Sequence, residues 1–162
     1  MRKIELTQGK HALVDDADYE SLNQLRWHYS NRGYAQRNGT LMHRVIMATP
    51  IGLDTDHING DKLDNRKSNL RICTRQENCL NKVGKRNNAL SQYKGVYLLK
   101  TGKYSYWRAD ITRGKSILQI GYFKNERHAA MAYDLWAKDL HGEFAKTNFP
   151  ILTNKYLKDD IK

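Results

Sequence analysis

Short alternating runs of apolar and polar residues fill the first fifty positions, each bounded by a glycine or a polar turn. Ile4-Glu5-Leu6 and Ala12-Leu13-Val14 flank Gly9, a pattern that predicts a β-hairpin. Asp16 to Leu25 places Tyr19, Leu22 and Leu25 on one helical face. Gly33-Tyr34-Ala35 and Thr40-Leu41-Met42 flank Arg37-Asn38-Gly39, and Asn-Gly tolerates the positive φ angles of a tight hairpin turn. An apolar run from Leu41 to Ala48 then stops at Pro50-Ile51-Gly52.

The next segment changes character. Asp56-His57-Ile58 reads as a short strand, Asn59 to Ser68 as a turn-rich loop, and Leu70-Arg71-Ile72-Cys73 as a second strand. Thr74 and Glu77 stand at the N-cap and third positions of a capping box, so a helix starts there and carries Asn78 in its first turn. Residues 80–92 are polar, basic and without apolar periodicity. They predict a linker over 84–92 with the boundary close to Asn88, after a first domain at 1–83.

Beyond the linker, Tyr93–Leu99, Tyr104–Thr112 and Ser116–Phe123 predict three strands. A helix follows from an N-cap at Asn125 to about His141, stopped by Gly142. Ala129, Ala132, Tyr133, Trp136 and Leu140 form its expected apolar stripe. Strand parity turns Val96, Leu98, Trp107, Ala109, Ile111, Leu118 and Ile120 toward that helix. It turns Tyr97, Leu99, Tyr106, Arg108, Asp110, Thr112, Ile117 and Gln119 away. The second domain is thus expected at 93–150, with a ragged tail at 151–162.

Charge narrows the partner. The net charge is +11, distributed unevenly. Residues 1–83 hold 13 Lys/Arg against 10 Asp/Glu, and residues 84–162 hold 15 against 7. Such an excess calls for a polyanion, nucleic acid before an acidic membrane surface, anchored by the C-terminal half. Lys82, Lys85 and Arg86 are candidate phosphate contacts along the linker. No apolar run approaches the ~20 residues of a membrane helix. The N-terminus has no secretory h-region, and the two cysteines, Cys73 and Cys79, fit a reducing cytoplasm.

The chemistry sits at Asp56, His57 and Asn78. A histidine takes a proton from water near neutral pH, and carboxylate and amide oxygens favour Mg²⁺ or Mn²⁺ over zinc. A calcium loop fails because Thr55 and Arg66 fall where its first and last ligands belong, and a structural zinc site fails because no CxxC pair exists. Asp61, Asp64 and Asn65 read as loop and turn residues, Cys73 as core, and His43 as a helix-packing residue with bracing the site or touching DNA as alternatives. His128 and His141 read as surface or cap residues.

Asp56-His57, Asn69 within Ser68-Asn69-Leu70-Arg71, and Asn78 within Gln76-Glu77-Asn78 resemble the motif of HNH (ββα-metal) endonucleases, in the branch with Asn at the third position that is common among homing endonucleases of phages and mobile introns. Leu13-Val14-Asp15-Asp16, Trp27 and Met42-His43-Arg44 extend the resemblance over roughly residues 4–82. It implies His57 as general base, Asp56 and Asn78 as ligands of one Mg²⁺ or Mn²⁺ ion, and Asn69 as the residue that braces the loop. Neighbours on an ideal strand point to opposite faces, so Asp56 and His57 share one phosphate only where the strand twists or ends.

Lys94-Gly95-Val96, Trp107-Arg108-Ala109-Asp110-Ile111, Gly121-Tyr122-Phe123, Ala129-Ala130-Met131-Ala132-Tyr133-Asp134, His141-Gly142 and Asn148-Phe149-Pro150 resemble an AP2/ERF domain. That resemblance implies three strands packed on one helix, with the open face in the DNA major groove. Lys94, Tyr97, Tyr106, Arg108, Asp110, Thr112 and Gln119 become the candidate DNA contacts. Where plant members carry base-reading Arg or Trp, this chain has Tyr97, Leu99, Ile117 and Gln119, so their recognition sequence does not carry over.

The expectation is an α+β chain, a ββα-metal nuclease joined to an AP2/ERF-like module. It would cut double-stranded DNA as a monomer or homodimer, with no organic cofactor. The rival readings are a non-catalytic DNA-binding regulator and an RNA-binding basic protein.

Overall fold

The computed structural model describes residues 1–81, 90–114 and 116–149. Lys82, Lys85, Arg86 and the tail from Pro150 onward lie outside them. The chain divides into two compact units, Met1–Asn81 and Lys82–Lys162.

In the first unit, β1 (Arg2–Glu5) and β2 (His11–Val14) form the expected antiparallel hairpin, with Arg2 opposite Val14. Gln8 and Gly9 both adopt positive φ at its turn. Helix α1 (Asp16–Asn23) follows and buries Leu22, while Leu25 falls beyond its end and is exposed. The strands β3 (His28–Tyr29), β4 (Ala35–Arg37) and β5 (Thr40–Leu41) make a small antiparallel sheet. Asn38 (φ 47°) and Gly39 (φ 78°) close its β4–β5 turn, the paired positive φ angles that Asn-Gly allows. The apolar run then folds as the five-residue helix α2 (Met42–Ile46). Ile4, Leu6, Ala12, Val14, Leu22, Trp27, Ala35 and Met42 form one core beneath these elements.

On that platform stands a ββα unit: β6 (Asp54–His57), β7 (Leu70–Cys73) and α3 (Arg75–Leu80). The strands are antiparallel, with Asp56 opposite Arg71 and His57 opposite Leu70. The capping box at the start of α3 is complete. Glu77 N–H donates to Thr74 Oγ1 at 3.3 Å, and Thr74 N–H donates to Glu77 Oε2 at 2.7 Å.

In the second unit, β8 (Val96–Thr101), β9 (Tyr104–Arg113) and β10 (Ser116–Phe123) form an antiparallel sheet in the order β10-β9-β8, packed on α4 (Glu126–His141). Asn125 Oδ1 caps α4 by accepting from Arg127 N–H at 2.8 Å. The helix is rotated from its expected stripe. Ala129, Ala132 and Tyr133 are buried as anticipated, but Trp136 is 41 % exposed while Ala130, Asp134 and Ala137 lie inside. Burial of Asp134 explains the rotation. Its carboxylate accepts from Asn148 N–H (2.7 Å), Asn148 Nδ2 (3.0 Å) and Phe149 N–H (2.8 Å), pulling the C-terminal segment under the helix. Leu118, assigned to the helix side by parity, is 36 % exposed near the start of β10.

Gly95 sits where helix and sheet come closest. At φ +74°, a Cβ there would lie 2.1 Å from the Tyr133 ring and 2.7 Å from the Asp110 carbonyl. Overpacking and left-handed strain each cost roughly 1–3 kcal/mol. Gly95→Ala is therefore expected to destabilise the C-terminal unit by roughly 3 kcal/mol or more, read from denaturant unfolding of the full chain. A change below about 1 kcal/mol would refute this account of the packing.

Candidate active site and nucleic-acid face

The pleat of β6 sorts the site into two sides. Asp54 and Asp56, two residues apart, face α3. Asp56 is 8 % exposed and accepts from Arg71 Nη2 (2.7 Å) and Nε (3.1 Å), and from Asn81 Nδ2 at 2.9 and 3.1 Å. Asn78 Nδ2 donates to Asp54 at 2.8 Å, and Arg75 reaches the same oxygen at 3.1 Å. These donors, Asn78 first, hold the Asp54 carboxyl below the usual carboxylate range. Asn78 is thus hydrogen-bonded to Asp54, while Asn81, one helical turn on, meets Asp56.

His57 looks the other way, into the loop and α2. It is 5 % exposed, and its ring lies edge-on to His43 at 4.8 Å between centroids and 6.0 Å from Tyr34. His57 Nε2 lies 3.3 Å from Asn65 Oδ1. Asn65 Nδ2 donates to the Leu63 carbonyl at 3.1 Å, so the atom facing His57 is an acceptor. Nε2 therefore carries the proton and Nδ1 keeps its lone pair. Burial, opposed by Asn65 and the nearby acids, holds the His57 pKa below its ordinary value. Burial and His57 push His43 down to about 3. Both rings are neutral at pH 7.

Asn69 ties the two ends of the loop together. Its Oδ1 accepts from Asn59 N–H (3.0 Å), its Nδ2 donates to the Asp64 carbonyl (2.8 Å), and its own carbonyl accepts from Ile58 N–H (2.9 Å). The loop is also joined to β2 by Leu13 N–H to Leu63 O and Asn65 N–H to Leu13 O, both 2.8 Å. Two of the loop residues lie deeper than turn residues usually do. Asp64 is 3 % exposed and clamped by Arg66 at 2.6 and 2.7 Å, and Asn65 is 1 % exposed against the histidine. His43, expected mainly as packing, lies against His57 and leaves its Nδ1 without a hydrogen-bond partner. Asp54 was legible as the residue two before Asp56 on a strand and Asn81 as three after Asn78 on a helix; nothing in the sequence marked Asn65.

On the C-terminal sheet, the face turned from α4 carries most of the residues that parity put there. Tyr97 and Tyr122 both register with Arg108. Arg108 pairs with Asp110 at 2.8 Å, and its Cζ lies 5.6 Å from the Tyr97 ring centroid. Asp110 is 9 % exposed beside it, closed in rather than displayed. Gln119 and Thr112 are exposed, while Tyr106 is half-buried and stacks on Tyr104 at 6.3 Å. Tyr122 was not anticipated: a register shift between Gln119 and Gly121 moves it onto this face, where its hydroxyl donates to Gln119 Oε1 at 3.1 Å. Lys94 precedes the sheet, half-buried. Asn148 Oδ1 accepts its N–H at 2.7 Å, and burial lowers its ammonium pKa.

Comparison with known proteins agrees with this division. Residues 41–80 match the HNH endonuclease family model, a span that takes in α2 and the whole ββα unit. An uncharacterized HNH endonuclease of Acanthamoeba polyphaga mimivirus is 29 % identical over 150 residues, covering 87 % of this chain and 76 % of that protein. Dehydration-responsive element-binding protein 2C of Arabidopsis thaliana is 34 % identical over 82 residues, 49 % of this chain and 23 % of its own length. Protein 2D of the same plant is 35 % identical over 97 residues, 58 % of this chain and 45 % of its own length. These AP2/ERF-type proteins match the C-terminal part. No solved structure gives a significant match. The N-terminal unit carries an HNH endonuclease segment, the mark of a nuclease, and the C-terminal unit resembles plant DNA-binding proteins.

Two neutral buried histidines make stability depend on acid. Above pH ~6.5 neither the folded nor the unfolded chain protonates them. As pH falls through that value the unfolded chain takes up protons that folded His43 and His57 refuse, at up to ~1.4 kcal/mol per pH unit for each. The loss continues until the folded pKa is reached, about 3 for His43. Thermal unfolding from pH 7 to 4 is expected to show a falling midpoint, with a shallower slope in His43→Leu. An unchanged slope in that variant would contradict the buried neutral ring.

Proposed function

We propose that this chain is a divalent-metal-dependent endonuclease that hydrolyses a phosphodiester of double-stranded DNA, held on its target by the C-terminal sheet. The observation that carries the reading is His57: buried, below its ordinary pKa, and with Nε2 engaged so that Nδ1 remains basic. His57 accepts the proton of the attacking water, which bonds to phosphorus as the P–O3′ bond breaks. The products are a 5′-phosphate and a 3′-hydroxyl. Asn69 holds the loop that fixes Asn65 against the base.

The donor set fits one hard cation. Asp56 offers a carboxylate and Asn78 an amide oxygen. A two-ligand protein cage that leaves the remaining positions to water and phosphate is the usual Mg²⁺ arrangement. Among the described residues no group of three or more His, Cys, Asp or Glu gathers, so a zinc-type cage does not compete. When bound, Mg²⁺ or Mn²⁺ supplies charge relief to the phosphate and the leaving oxygen. Asn81 and Arg71 hold the Asp56 carboxylate in the meantime.

On the DNA side, Tyr97, Tyr106, Arg108, Thr112 and Gln119 lie against the major groove, with Asp110 orienting Arg108. Lys82, Lys85, Arg86 and Lys94 meet phosphates. The reading extends to a homing or mobile-element role in the cytoplasm, where the two free cysteines fit a reducing compartment. Among the described residues no helix is long and apolar enough to cross a membrane. One observation favours the regulator reading, the nearly buried ion pair of Arg71 with Asp56, 10 % and 9 % exposed.

Supercoiled plasmid bearing random inserts separates the two. With Mg²⁺ or Mn²⁺ but not EDTA, the parent chain is expected to nick or linearise it, and His57→Ala to lose at least about a hundredfold in rate while retaining DNA affinity. The acid limb of the parent's rate is expected below pH ~6.5, because burial lowers the base. Binding without cleavage under either metal would establish the regulator. Arg108→Ala is expected to cost about 1–3 kcal/mol of binding and relax target choice; equal loss on every sequence would move Arg108 to the phosphate contacts.

A further inference from the structure

We infer that Asn81 is the positioning residue that locks the metal-ligating acid and the catalytic strand into one geometry. The inference rests on the proposed role of Asp56. Asn81 lies at the C-terminal cap of α3, just beyond the motif that ends in Asn78. Its Nδ2 has three acceptors: both carboxylate oxygens of Asp56, at 3.1 and 2.9 Å, and the backbone carbonyl of His57 at 2.9 Å. An atom surrounded by three oxygens is the amide nitrogen, so the side-chain orientation follows from its surroundings.

The consequence is geometric. Asp56 and His57 point to opposite sides of β6, and their other partners are disjoint: Arg71 for the acid, and Asn65, His43 and Tyr34 for the base. Asn81 reaches both residues, the first through its side chain and the second through its backbone. One amide group therefore ties the carboxylate, which Arg71 also holds, to the chain path at His57. Asn78 cannot substitute, because its amide is engaged by Asp54. Hydrogen-bond donors behind a ligating carboxylate typically change metal affinity or activity by about 10–100-fold.

The test uses the full chain and Mn²⁺ alone as probe, by calorimetry, with cleavage at saturating Mn²⁺ as a second reading. Asn81→Ala is expected to weaken Mn²⁺ binding at least about tenfold with the thermal midpoint little changed, and Asn81→Gln, which keeps the donors, to recover part of it. Should the alanine variant fail to fold, Asn81→Leu, near in volume and without donors, carries the same expectation. Asp56→Ala is the control. Parent-like Mn²⁺ affinity in both donor-free variants, with affinity lost in Asp56→Ala, overturns the role of Asn81 and leaves the ligand assignment standing. Parent-like affinity in Asp56→Ala itself overturns both.

Discussion

The closure of the loop between β6 and β7 is the constraint on which the ββα unit depends. Two four-residue strands and a six-residue helix bury too little to be stable alone. Their order comes from polar bonds that span the loop. Asn69 satisfies a backbone N–H on one side and a carbonyl on the other, and Leu13 on β2 accepts and donates across the same loop. Each bond contributes only about 1 kcal/mol net, but a broken one leaves a buried polar group unsatisfied at roughly 1–3 kcal/mol. The platform core of Ile4, Val14 and Trp27 is thereby joined to this loop through β2.

The alternation of β6 divides this site in two. Because β6 alternates, its two acids and its base cannot share one side. The structure gives each side its own support: α3 amides and arginines for Asp54 and Asp56, loop and α2 for His57. Amide and arginine donors hold the Asp54 carboxyl below the usual carboxylate range, while burial keeps His57 below its ordinary pKa against the opposing pull of Asn65 and the nearby acids.

Elements were legible in the sequence where a local rule forces them. The Asn38-Gly39 turn, the Thr74/Glu77 capping box and the three C-terminal strands follow from φ requirements, cap chemistry and period-two patterning that no tertiary contact overrides. The misses were tertiary. An apolar stripe alone does not register the Asp134 carboxylate, which is buried while the Trp136 indole stays outside. Asp64 and Asn65 looked like turn residues because polar loop residues usually are. Their burial follows from β2 lying alongside, where Leu13 bridges to Asp64 across a long stretch of sequence. Within the site, Asp56, His57 and Asn69 stand out through spacing, and His43 through its neighbours, whereas Asn65 becomes visible only once the fold brings it against His57.

The C-terminal face illustrates how one backbone irregularity changes recognition chemistry. Without the shift between Gln119 and Gly121, strand parity would turn Tyr122 toward α4 and Phe123 outward. With it, Phe123 joins the core beside Val96 and Ala129, and Tyr122 comes to stand opposite Arg108. The open face then presents Tyr97, Arg108 and Tyr122 in one row, with Gln119 accepting a bond from the Tyr122 hydroxyl. A carbonyl already accepting from a neighbouring hydroxyl leaves the amide N–H groups of Gln119 as its freer recognition edge, and a guanidinium is donor-only as well. The row therefore lines up hydrogen-bond donors on the exposed side of the sheet.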